Sequence, residues 1–269
     1  MMRSKSIRLL LITQATALLF ACTSGTDTDA RPHPGILWVR DAAEFDAIAM
    51  QVYRAASDDL PGLIADKSWT AMPGQKNYGE LPAAIVFDVD ETLVSNVSFQ
   101  EKLKRPFTNS MLNEWNANNR ATAVPGAVEF VNLAREHGVE LFFVTNRPCR
   151  RKPHIPGPCP QEAITVQDLV EVGIPADSDH VMMANERPNW DREKVIRRDL
   201  IAQDYRIIML IGDDLSDFIP CVRKKVHKPC TEAATAASRQ SKTELFHRYW
   251  GAGWYVLPNP MHGSWTTFD

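Results

Sequence analysis

Four short apolar runs constrain this chain more than any other feature, because three of them stop abruptly at acids or at a Thr-Asn step. Residues 81–87 run into Asp88-Val89-Asp90-Glu91-Thr92, residues 139–144 into Thr145-Asn146-Arg147, and residues 207–211 into Gly212-Asp213-Asp214, with Asp217 close behind; the fourth run is 180–183. Runs this short, apolar without alternation, predict strands buried on both faces. Helical spacing predicts helices over 127–137, stopped by Gly138, over 162–172, stopped by Gly173-Ile174-Pro175, and over 192–203, with further helices over 42–56 and 109–118. Strands alternating with helices imply a Rossmann-like, three-layer α/β/α fold around a parallel sheet. Ligands in such folds bind past the carboxyl ends of the strands, where the polar clusters stand.

Those clusters suit phosphoryl transfer. Asp88 and Asp90 are two apart on extended chain, so both side chains leave the strand end on one side. Carboxylates converging on one spot stay ionised together only around a cation, and oxygen ligands favour a hard divalent ion such as Mg²⁺. Asp88 can then attack phosphorus, and Asp90 can protonate the leaving oxygen and later activate water. Thr145 offers a hydroxyl and Lys194, on the helix before the last run, a positive point charge. The alternative is that Asp and Asn at strand ends are turn formers only. Three such clusters following three apolar runs in order argue against it.

The first residues read as a targeting segment. Arg3, Lys5 and Arg8 precede an apolar stretch over 9–21 that is too short for a confident membrane span. Residues 1–21 are therefore expected to be a signal peptide. Leu19-Phe20-Ala21-Cys22 resembles the lipobox of bacterial lipoproteins, which implies acylation of Cys22, and Thr23 after it favours the outer membrane. Phe20 departs from the usual box, so ordinary cleavage near Ala21 is the alternative. Residues 22–35 are polar, read as a flexible tether, and the folded domain is expected over 36–269. The net charge of −3 shows no basic excess of the kind that polymeric nucleic acid requires. Cys149, Cys159, Cys221 and Cys230 in an exported chain suggest two disulfides. Four cysteines allow three connectivities. Local pairs, 149–159 and 221–230, are favoured, and the spacings match no common zinc pattern.

The motifs are specific enough to name a resemblance. Phe87-Asp88-Val89-Asp90-Glu91-Thr92-Leu93, Phe143-Val144-Thr145-Asn146-Arg147, Lys194-Val195-Ile196-Arg197-Arg198 and Ile211-Gly212-Asp213-Asp214-Leu215-Ser216-Asp217-Phe218 resemble the four motifs of the haloacid dehalogenase superfamily, in the form of the class C acid phosphatases and lipoprotein nucleotidases. The resemblance implies a fold of the haloacid dehalogenase type with a small helical cap insert at about 95–124. It implies Asp88 as nucleophile and metal ligand, Asp90 as acid/base with its backbone carbonyl on the metal, and Asp213 and Asp217 completing one Mg²⁺ site. Thr145, Asn146 and Lys194 would hold the phosphate. Trp115 and His262 would stack on a substrate base, whereas Phe99 and Phe107 would form the cap's own core. Two residues depart from the family pattern: Asp214 stands where Asn is usual, and His262 where Tyr is usual. The implied activity is Mg²⁺-dependent acid phosphatase action on phosphomonoesters, nucleoside monophosphates among them. A non-catalytic lipid-anchored relative and an exported phosphotransferase are the competing readings. Nothing in the sequence specifies the oligomeric state; a homodimer is compatible with it.

Overall fold

The computed structural model describes residues 32–103, 107–118, 121–151 and 159–268. The expected signal peptide, Cys22 and most of the expected tether lie outside the described residues. The described chain opens with α1 (Pro34–Asp41), where His33 caps the helix by accepting from Gly35 N at 3.1 Å. Gly35, assigned to the tether from sequence, is thus inside a helix and buried. A side chain there would collide with the Pro260 carbonyl, so α1 is packed against the segment at Pro260.

Helix α2 (Ala43–Ala65) runs 23 residues, well past the predicted end, and passes through Pro61. Proline near the last turn forfeits only one helical hydrogen bond, and buried Leu60 beside it keeps the helix on the core. Then follow β1 (Ala83–Phe87), β2 (Val94–Ser95), α3 (Val97–Lys102), α4 (Asn109–Asn116), β3 (Thr122–Ala123), α5 (Ala127–Glu136), β4 (Glu140–Pro148), α6 (Pro160–Glu171), β5 (Val181–Ala184), α7 (Val195–Asp204), β6 (Arg206–Gly212), α8 (Ala236–Leu245) and β7 (Trp254–Val256).

Five strands form one sheet in the order β5-β4-β1-β6-β7, and every pairing is parallel. The fold is therefore the expected α/β type, with β7 added to the four predicted strands. Three residues between Gly253 and the Pro258-Asn259-Pro260 stretch carry too little pattern to be read as a strand. Helix α8 likewise leaves no signal in the sequence, because none of its residues is buried and it has no apolar stripe. On one sheet face Phe87 stacks against Phe143 and meets Phe130 of α5, which also packs on Tyr53 of α2. Gly126 starts α5 with φ at +87°, and a Cβ there would lie 3.1 Å from Tyr53 Cβ, so glycine serves both the turn and the helix approach. The other face holds Ile201 of α7 and an aromatic cluster in which Tyr249 stacks on Trp254 at 4.7 Å.

Between β1 and α5, the strands β2 and β3 pair antiparallel and carry α3 and α4 between them. The cysteines pair locally, Cys149 with Cys159 and Cys221 with Cys230, with Cα separations of 4.9 and 5.4 Å. No helix among the described residues is long and apolar enough to cross a membrane.

Candidate active site

Strand register gathers the acids. Phe87 aligns with both Phe143 and Ile211, and Asp88 N donates to the Ile211 carbonyl at 2.8 Å. Connections leave β1 toward β4 on one side and return to β6 on the other, so Asp88 sits where the strand order reverses. Asp213 follows β6, and a short 3₁₀ turn brings Asp217 back under it, where its Oδ2 accepts from the backbone N–H groups of Asp213 and Asp214 at 3.1 and 2.9 Å. Gly212 is required here, since a side chain would strike the Asp217 carboxylate.

Carboxylate oxygens of Asp88, Asp213 and Asp217 all lie within 4.8 Å of one another. Lys194 reaches into this group, 2.7 Å from Asp217 Oδ1 and also bonded to Asp88. The sequence placed Lys194 within a helix; it is in fact the residue that caps α7, which frees its side chain to enter the site. One ammonium cannot neutralise three carboxylates. Burial pushes Asp88 up to about 6, with the Lys194 charge opposing and the Asp217 and Asp90 charges adding. Burial and the charges of Asp88 and Asp217 raise Asp213 well above the ordinary carboxylate range. Thr92 Oγ1 and Asn259 Nδ2 donate to Asp213 at 3.3 and 2.7 Å. An all-oxygen donor set with this charge excess suits a hard divalent cation.

The Asp90 carboxylate has other partners. It receives Arg147 Nη2 at 2.8 Å, Arg147 Nε at 3.0 Å and Asn96 Nδ2 at 2.7 Å. Burial raises Asp90, but Arg147 and Asn96 outweigh it and hold the carboxyl below its ordinary range. The Asp90 side chain does not join the Asp88, Asp213 and Asp217 cluster. Arg147 also pairs with buried Asp168 on α6 at 2.5 Å. Arg147 lies inside the Phe143–Arg147 motif but carries no sequence signal of this pairing, and Asp168, at an inward position of α6, carries none either.

Two arginines of the Lys194–Arg198 motif, Arg197 and Arg198, are buried behind the site. Arg197 donates to the carbonyls of Thr145 and Met182 at 2.6 and 3.1 Å and to Asn146 Oδ1 at 3.0 Å. With its oxygen so engaged, Asn146 keeps its NH₂ as a donor toward the cleft. Arg198 holds the carbonyls of Asp217 and Phe218. Thr145 is buried, and its hydroxyl accepts from Arg147 N at 3.1 Å.

A cavity of about 420 Å³ covers the acids, lined by Asp88, Asp90, Asn146, Lys194, Asp213 and Asp217 among others. His262 is on its wall, 3.5 Å from Glu91 Oε1. Burial lowers His262, but the hydrogen bond and charge of Glu91 override it and raise the imidazole above its ordinary value. Glu91, given no role from sequence, adopts φ +59° and accepts from Asn96 N at 3.1 Å, pinning the turn after Asp90. Trp115 does not line this cavity. It is buried against Phe99 at 5.8 Å, whereas Phe107, expected in the cap core, is 43% exposed and forms cavity wall. The two aromatics exchange places because Phe99 stands between them, 6.3 Å from Phe107. Asp214 is also accounted for: it caps the 3₁₀ turn at Ser216 N (2.9 Å) and accepts from Ser264 N (2.6 Å).

A parallel sheet with a central strand ending at Asp88, flanked by Asp213, Asp217 and a buried lysine, defines the haloacid dehalogenase class of α/β protein. The chain belongs to that superfamily's subfamily IIIB, the acid phosphatases, whose family model matches residues 57–265. It is similar to the class C acid phosphatase from Bacillus anthracis. The structure with tungstate bound is 26% identical, with a TM-score of 0.67 over 86% of this chain and 84% of that one. A second structure of that enzyme is 25% identical, with a TM-score of 0.66 over the same shares. Among curated proteins it resembles the Stem 31 kDa glycoprotein of Glycine max, 23% identical over 172 residues, which is 60% of this chain and 56% of the relative. It also resembles the Stem 28 kDa glycoprotein of the same plant, 23% identical over 141 residues, 50% and 52% of the two chains. The chain thus spans about half the length of the curated relatives it matches.

Proposed function

We propose that this chain is a phosphoric monoester hydrolase that works through an aspartyl-phosphate on Asp88. The observation that carries the reading is the convergence of Asp88, Asp213 and Asp217 around Lys194 at the floor of one cavity. A bound Mg²⁺, held by Asp88, Asp213, Asp217 and the Asp90 carbonyl, would supply positive charge to the phosphoryl oxygens. Lys194 and the Asn146 NH₂ orient the phosphate so that Asp88 faces phosphorus in line with the leaving oxygen. Asp90 clamped by Arg147 is ionised, which suits its second task, taking a proton from water that attacks the aspartyl-phosphate. To protonate the leaving oxygen first, Asp90 must loosen from Arg147 and gain a proton. That tungstate, a tetrahedral oxyanion, is bound by a structural relative is in keeping with a phosphate site here.

The substrate class we favour is phosphomonoesters bearing a flat ring, nucleoside monophosphates among them, with Phe107 and His262 as the ring's neighbours on the wall. The basic-then-apolar start and Cys22 support export and lipid anchoring, with the outer membrane as destination. The test is phosphate release from p-nitrophenyl phosphate and nucleotides by the purified protein, before and after EDTA and with Mg²⁺ restored. Full activity in rigorously metal-free protein would remove the metal from the reading, and no release under any condition would remove the activity.

A further inference from the structure

The cavity cations divide into two groups. Arg147 is committed to Asp90 and Asp168, and Lys194 to Asp88 and Asp217. Arg192 and Arg223 also line the cavity. Arg192 is half-buried, and its guanidinium has no carboxylate within ion-pair distance among the described residues. Neighbouring Asp191 turns instead to His227 Nδ1 at 2.9 Å and to the Arg192 backbone N–H at 2.7 Å. Arg223 Nη2 donates to Ser216 Oγ at 2.5 Å and forms only a long ion pair, 4.0 Å, with Asp214, whose oxygens also accept from Ser216 and Ser264. Arg223 Nε is buried without any hydrogen-bond partner.

Arg192 and Arg223 carry like charge on the wall of one cavity, and burial together with the Arg223 and Arg150 charges, against that of Asp191, lowers Arg192 from its ordinary value. Such an arrangement is costly unless an anion completes it. The reactive phosphate is claimed by Lys194 and Asn146, leaving these donors for something else on the same molecule.

We infer that Arg192 and Arg223 form a subsite for a second anionic group on the substrate, so that the preferred substrates are phosphomonoesters carrying a further phosphate or carboxylate. The inference rests on the phosphatase reading and specifies its substrate class. Guanidinium forks match both oxyanions, so the two sources are separated by substrate pairs. Adenosine 3′,5′-bisphosphate is compared with adenosine 5′-monophosphate, and 3-phosphoglycerate with glycerol 3-phosphate. Within the wild type, the doubly anionic member of at least one pair should have the higher kcat/KM, by about tenfold or more, chiefly through KM. The pair that shows the preference identifies phosphate or carboxylate. Added salt should shrink the ratio. Arg192→Gln should bring the ratio toward one, and Arg192→Lys should restore part of it; because each ratio is internal to one variant, partial unfolding cancels out. Wild type that hydrolyses p-nitrophenyl phosphate but shows ratios near one in both pairs would overturn the subsite alone. A preference that survives Arg192→Gln and Arg223→Gln would also overturn it. Wild type inactive on p-nitrophenyl phosphate would overturn the phosphatase reading and this inference together.

Discussion

Arg147 grips Asp90 through two nitrogens, Nη2 at 2.8 Å and Nε at 3.0 Å, while Nη1 reaches Asp168 at 2.5 Å. The guanidinium is thereby a rigid spacer between α6 and the turn after β1. Arg147→Met leaves Asp168 buried and uncompensated and should cost about 3–5 kcal/mol in a urea melt. Arg147→Lys keeps the charge but loses the fork. If the fork positions Asp90 as proton donor, kcat in this variant should fall further for an alkyl phosphate than for p-nitrophenyl phosphate, whose leaving group needs little protonation. Equal losses on both would reduce Arg147 to a structural role.

The acid triad makes metal-free protein pH-sensitive. Asp88 is raised to about 6 in the fold, so the folded state holds its proton more tightly than the unfolded chain does. Stability of metal-free protein should therefore fall as pH rises from the ordinary carboxylate value, about 4, to about 6. Mg²⁺ should raise the melting temperature far more at pH 7 than at pH 4, because binding needs ionised ligands. Asp88→Asn should weaken the metal-free pH dependence, leaving the part that comes from the raised Asp213, without lowering the melting temperature, while abolishing turnover. Turnover within about tenfold of wild type would disprove the covalent route.

Asp214 is opposite in sign. Burial raises it, but Arg223 and the N–H groups of Ser216 and Ser264 prevail and hold it at about 2. Its contribution to stability is present above the ordinary carboxylate value and is lost as pH falls through about 2. Asp214→Ala should cost about 1–2 kcal/mol through the lost cap. Asp214→Asn should cost less, since one amide oxygen still caps Ser216. Calorimetry at pH 7 and pH 3 separates these outcomes; a larger loss for Asn than for Ala would contradict the cap.

Phe107 and Trp115 predict different defects. Trp115→Ala empties a buried site against Phe99 and should lower stability by about 3–5 kcal/mol, with equal loss of activity on all substrates. Phe107→Ala should leave the melting temperature nearly unchanged and raise KM for nucleotides but not for a ringless ester. A substrate-selective defect in Trp115→Ala would return the stacking role to the tryptophan.

The Cys221–Cys230 bridge closes a short loop just after the Asp217 turn, beside the cavity wall. Replacing both cysteines with serine should lower stability by about 3 kcal/mol, as the chain-entropy model gives for a loop of this size. Reducing conditions open Cys149–Cys159 as well and should cost the wild type at least this much; no difference between reduced and oxidised protein would show that both loops are held by their other contacts.

Sequence alone determined four of the sheet's five strands, their ends and the acids that stand on them. Four apolar runs interrupted by helical spacing leave few topologies, and Asp88, Asp213 and Asp217 follow from being next in line after two of those runs. Local pattern also favoured the disulfides, because each pair brackets a short segment. What lay beyond it were relationships between distant positions. Arg147 and Asp168 are separated by 21 residues and meet only when α6 packs beside β4. Asp90 reads as a free acid until Arg147 arrives from 57 residues away. Phe107 and Trp115 look alike as aromatics in one insert, and only the packing of Phe99 between them decides which faces the cavity. The physical reason is that periodicity reports which face of an element is apolar, whereas charge pairing and cavity exposure depend on which elements the fold sets side by side.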